Sequence, residues 1–136
     1  MATPTFTITR GAAYLLEAAL QRPDAFTTTS ATVRAARAWD KIRKLNPCKD
    51  STFNFEKGVL RPEGVSDADF QKTQLAFSDA FDKWQEEEIT VELTEKLRVA
   101  CVSGINWAVK NRDKLWPRNN NHVLSLLVAF GLEDEE

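Results

Sequence analysis

Four cations at helical spacing, Arg34, Arg37, Lys41 and Lys44, are the side chains of this sequence best suited by type to do chemistry. On an α-helix they fall within about 80° of one another and form one ridge, two to three turns long. A ridge of that kind binds anions. It neutralises several phosphates at once, and its affinity falls steeply as salt rises. These four residues are therefore candidates for anion or nucleic-acid binding. Base reading is not indicated, because the helix opens on "TTTSATV" rather than on the amide and guanidinium side chains that reach base edges. The connection before it, Gln21 to Thr28, is also longer than the turn of a helix-turn-helix. Two other fates compete for the ridge: a plain solvated face, or pairing with acidic residues elsewhere in the chain.

Covalent and metal chemistry find little to work with. His122 is the one histidine, so a Ser/His or Cys/His pair or a histidine metal site would have to use it. It stands at the start of an expected helix, where a histidine without catalytic work is common. Neither phosphate-cradling glycine motif is present. Glu86, Glu87 and Glu88 are consecutive, and on a helix consecutive side chains diverge by about 100° rather than converging on a cleft. Cys48 and Cys101 have no metal spacing and make no disulfide framework. No catalytic, cofactor or metal residue is named, no cofactor is expected, and the chain is read as not an enzyme.

Tryptophan offers a different kind of site. Trp and Arg concentrate at interface hot spots, although large rings also fill cores. Trp84 falls in a phenylalanine stripe and reads as core. Trp107, on the flank of its helix, and Trp116, beside Pro117, are the candidates for a protein interface.

The elements that must position these residues follow from the pattern. The chain has 136 residues, 43% hydrophobic and 28% charged, which suits one folded domain over residues 1–136. Residues 1–50 carry +4 and residues 51–136 carry −6, summing to the net −2. "TFTIT" and "EITVELT" alternate and predict two short strands, near residues 5–9 and 89–93, able to form a ribbon. "RGAAYLLEAALQR" leaves almost no polar face and predicts a well-buried helix that Pro23 ends. The ridge helix should run from Thr29 or Ser30 to about Leu45, with Ala31, Ala35, Ala38, Trp39 and Ile42 turned inward. Residues 46–65 read as a long loop in which Phe53 and Phe55 mark either a short strand or an anchored segment.

Ser66 should cap a helix whose Phe70, Phe77, Phe81 and Trp84 share one stripe. Thr94 should cap the next, "EKLRVACVSGINWAVKNRDKL", broadly apolar and central. Asn121 should cap the last, with Gly131 just past its end and Leu132 closing it. "EDEE", residues 133–136, reads as a frayed acidic tail. The fold class is thus mainly α: a single-domain bundle of about five helices, with the two-stranded β-ribbon. No basic leader precedes an apolar run, and no apolar run approaches membrane-spanning length, so no membrane contact is expected and the location is read as cytoplasmic.

In layout the chain resembles small proteins encoded in bacteriophage and prophage genomes. The likeness is carried by "FTITRGAAYLLEAAL", the basic helix ending "IRKLNP", "WQEEEITVELTE" and "HVLSLLVAFGLE". It implies a short helical protein with a binding or structural role rather than catalysis, and it supplies no site residues. The reading placed first is a non-enzymatic protein–protein interaction or accessory protein, docking on a protein partner or on a second copy of itself. The alternative is a nucleic-acid-binding accessory protein that uses the cationic ridge.

Overall fold

The computed structural model describes residues 3–111 and 120–132. Strand β1 (Thr5–Thr9) leads into helix α1 (Arg10–Leu20), a 3-10 turn (Pro23–Ala25) and α2 (Thr29–Leu45). A long loop then joins α3 (Asp67–Glu86), β2 (Glu88–Glu92), α4 (Glu95–Lys110) and α5 (Asn120–Ala129). The protein is mainly helical, with five α-helices and one two-stranded antiparallel sheet among the described residues.

The ribbon pairs Phe6 with Val91 and Ile8 with Ile89. Period-two alternation turns these apolar residues onto the helices and leaves Thr5, Thr7 and Thr9 on the other face. The expected N-caps form. Thr94 accepts from the Leu97 amide, and Ser66 accepts from Asp69. Helix α5 ends as expected. Gly131 adopts φ +70°, Leu132 N donates to Leu127 O at 2.7 Å, and Gly131 N donates to Val128 O at 3.2 Å. That is the Schellman arrangement, for which a left-handed glycine is the cheapest residue. At its start the helix differs from expectation. Asn121 lies inside the first turn of α5 and is not its cap.

The core is one contiguous cluster drawn from both strands and from α1, α2, α4 and α5. Leu16, Ile42, Ile105 and Leu126 are fully buried in it. Helix α3 packs on α1 but gives no residue to that cluster. Its stripe of Phe77, Phe81 and Trp84 covers Phe55 at ring separations of 5.1–5.5 Å, and Phe53 meets Phe77 at 5.4 Å. The Phe53–Phe55 segment is thus an anchored loop, carrying a lone bridge between Lys49 and Asn54. This satellite cluster fixes the loop that leaves the far end of α2.

Helix α1 is well buried, as expected, with two residues placed against their polarity: Tyr14 is exposed and Glu17 is buried. Helix α1 is wrapped by α2, α4 and α5, and the inward arc includes position 17. A buried carboxylate at that position must find partners in the fold.

Candidate functional site

Helix α2 forms because Thr28 caps it and its apolar residues recur on one side. Ala35, Ala38 and Ile42 are buried, and Ala31 and Trp39 pack partly beneath them. Burial of that seam turns Arg34, Arg37 and Lys41 away from the core. No carboxylate lies within 4 Å of any of these three among the described residues. The Lys41 ammonium reaches only the backbone carbonyl of Glu92, at 3.5 Å. Among the described residues, the acidic second half of the chain therefore supplies no carboxylate partner to the ridge.

Helix α4 supplies the other wall. Lys41 touches the end of β2, just before α4 begins, while Gly104 lies against Phe26 and Ala19, just before α2. The two helices therefore run antiparallel. Between them is a groove of about 480 Å³ lined by Thr29, Ser30, Val33, Arg34, Arg37, Lys41, Thr94, Lys96 and Leu97. Among the described residues no acidic side chain lines it. Glu95 is next to it, but its carboxylate is held by Arg98 at 2.6 Å, which keeps its pKa below the usual range.

The expected ridge is thereby redrawn. Arg34, Arg37 and Lys41 share the groove. Lys44 lies beyond its lining and pairs with Asp40 of its own helix at 3.0 Å. Lys96 takes the fourth place, and it too is without a carboxylate partner among the described residues. Position along one helix could not reveal Lys96, because only the packing of α4 on α2 brings it there.

The groove also receives the starts of both helices. Thr28 caps α2 through the Ala31 amide and Thr94 caps α4 through the Leu97 amide. In each first turn the earlier amides have no intrahelical acceptor. They add partial positive charge at the two ends of a recess already lined by four cations.

At the other end of α2 the same chemistry is spent on the fold. Arg43 is clamped between Glu17, at 3.5 Å, and the Glu56 carboxylate. Asn46 is fully buried. Its amide donates to Glu17 Oε2 and to the Arg10 carbonyl, each at 3.2 Å, and its Oδ1 accepts from Arg10 Nη1. Arg10 closes the chain on Glu87 at 2.9 Å. Burial raises the Glu17 carboxyl to about 6, against the opposing pull of Asn46 and Arg43. Nothing in the local sequence marks Glu17; its only signal is an acid placed on an otherwise apolar arc.

The remaining candidates have structural surroundings. His122 Nδ1 lies 3.0 Å from the Thr9 hydroxyl, and its ring rests where a Cβ on Gly11 would come within 2.6 Å. It fastens the start of α5 to the start of α1. Burial raises the thiol of Cys48 to about 11 and that of Cys101 to about 12, so both stay protonated and unreactive at neutral pH. No three His, Cys, Asp or Glu side chains converge on a metal-sized site among the described residues. Trp107 is half-buried, with the Arg22 guanidinium 5.2 Å above its ring, so its own chain covers one face. Trp116 lies outside the described residues. No helix of the described residues is long and apolar enough to cross a membrane.

Comparison with protein-family models, with curated proteins and with solved structures found no match to this chain.

Proposed function

We propose that this protein is a non-enzymatic accessory protein that binds the phosphate backbone of a nucleic acid in the α2/α4 groove. One observation carries the reading: Arg34, Arg37, Lys41 and Lys96 converge on a recess with no acidic lining and no carboxylate partner among the described residues. Four like charges drawn together repel one another and lower stability unless an anion fills the space between them. The net charge of −2 does not oppose this, because charges farther off than about 10 Å are screened at 0.1 M salt. The phage-like layout and two free, buried cysteines fit a role in a reducing cytoplasm.

Fluorescence anisotropy with a labelled nucleic acid tests this across a salt series. Four phosphate contacts predict a weakening on the order of 100-fold between 50 and 200 mM salt. Affinity that is flat in salt, or unchanged when Arg34, Arg37 and Lys41 all become alanine, sinks the reading.

A second reading, docking onto a second copy of the chain, has its own support. Leu124 and Val128, one turn apart on α5, are each more than half exposed, and they border a shallow recess with Thr7 and Thr9 of β1. Exposed apolar residues beside an unpaired strand edge favour association. Light scattering of the Leu124→Asp, Val128→Asp double variant tests it: a wild-type dimer should become a monomer, and a wild-type chain that is monomeric at high concentration removes this reading.

A further inference from the structure

Resting on the backbone-binding reading above, we infer that the groove takes double-stranded nucleic acid, gripped along one phosphate ridge without reading sequence. The shape of the site is the first reason. The cations line a recess between two antiparallel helices rather than the crest of a projecting one. A recess accepts the convex backbone of a duplex. The base edges lie about 8.5 Å down the major groove, and side chains on the floor of a recess do not reach them.

The lining is the second reason. Its described side chains are four cations, the hydroxyls of Thr29, Ser30 and Thr94, and the apolar Val33 and Leu97. Among the described residues no aromatic ring, asparagine or glutamine joins them. Single strands are held by stacking bases on aromatic faces, each worth about 1–3 kcal/mol, and the described lining offers no such face. Phe77, Phe81 and Trp84 of α3 are committed to one another and to Phe53 and Phe55, and Phe70 lies under the Arg61 guanidinium. Without aromatic faces, a flexible strand loses entropy on binding with no stacking to offset it, whereas a duplex presents its phosphates already ordered.

Length is the third reason. From Thr29 to Lys41 the groove wall spans roughly 18 Å at the helical rise of about 1.5 Å per residue. One duplex strand places about five phosphates along that much axis. The four side-chain cations can meet four of these, and the two helix starts add partial positive charge beside them.

The experiment uses the full chain and short labelled oligonucleotides: one DNA duplex, the RNA duplex of the same sequence, a scrambled DNA duplex, and the single strands. The expected result is duplex binding within a few-fold for native and scrambled sequence, single strands at least tenfold weaker, and a slope of log affinity on log salt near −3.6. The Lys96→Ala variant should reduce that slope by about 0.9, while Lys44→Ala, outside the groove, should leave it unchanged. Both side chains are on the surface, and circular dichroism confirms the fold of each variant. A preference between DNA and RNA duplexes supports the inference and names the source of the backbone. Single strands binding as tightly as duplexes, or a scrambled duplex losing more than tenfold, overturns it while leaving backbone binding intact. Loss of salt dependence in every arm overturns the underlying reading and the inference together.

Discussion

Helix α2 treats its arginines in two opposite ways. Arg43, near its C-terminus, is held between two carboxylates and stands beside a fully buried asparagine. Arg34 and Arg37, two turns earlier, meet no carboxylate among the described residues and face a groove shared with Lys41 and Lys96. The residue type is the same and the helix is the same. The difference is what lies opposite: the acid of α1 and the anchored loop at one end, the start of α4 at the other. Charge at the first end ties α1, α2 and the loop together. Charge at the second end has no carboxylate partner among the described residues, and in the proposed function it serves a ligand.

This contrast breaks most visibly at the buried end. Replacing Asn46 with alanine strands the Glu17 carboxylate and the Arg10 carbonyl without their shared donor. Chemical denaturation should show a loss of about 2–4 kcal/mol, the cost of unsatisfied buried polar groups where one is charged. A loss under about 1 kcal/mol would mean the clasp is not structural.

The next effect concerns pH. Glu17 binds its proton more tightly in the folded state, with a pKa of about 6, than in the unfolded chain. Its contribution to stability is therefore fully present below the unfolded value near 4.5 and is lost as pH rises through 6. The change is on the order of 2 kcal/mol, taking about 1.4 kcal/mol per pH unit. Glu17→Gln keeps an acceptor for Asn46 and abolishes the titration. Its stability relative to wild type should rise by that amount between pH 4 and pH 8. A pH-independent difference would remove burial as the cause of the shift.

Smaller effects belong to the groove. Thr94→Ala removes the cap of α4 and should cost about 1 kcal/mol. It should also weaken nucleic-acid binding modestly, by loosening the helix start that lines the groove. The smallest change in stability is expected from the Arg34→Ala, Arg37→Ala double variant, within about 0.5 kcal/mol of wild type. A marked loss there would show that the ridge does serve the fold.

Much of the framework was legible because it is local. Alternation marked the ribbon, Ser66 and Thr94 marked their helices, and the alanine seam of α2 marked which side would be buried. Gly131 followed from the same short-range logic. What escaped was set by contacts distant in sequence. Glu17 is buried because α2 lies over it, and its partners Arg43 and Asn46 come from the end of that helix, 26 and 29 positions away. Lys96 joins Arg34 and Arg37 because α4 packs antiparallel to α2, and Lys44 drops out because the groove ends a turn before it. A helical wheel reports which residues share a face, but not how far along that face the neighbouring helix extends.

The most direct measurement sets Arg37→Ala beside Arg43→Ala, with both variants read for unfolding free energy and for nucleic-acid affinity at low salt. Arg37→Ala should lose affinity several-fold and keep its stability. Arg43→Ala should lose at least 2 kcal/mol of stability, the cost of leaving a buried carboxylate without its charge partner, and keep its affinity under conditions where it remains folded. If the two variants lose stability and affinity in parallel, the two ends of α2 do the same work and the division drawn here is wrong.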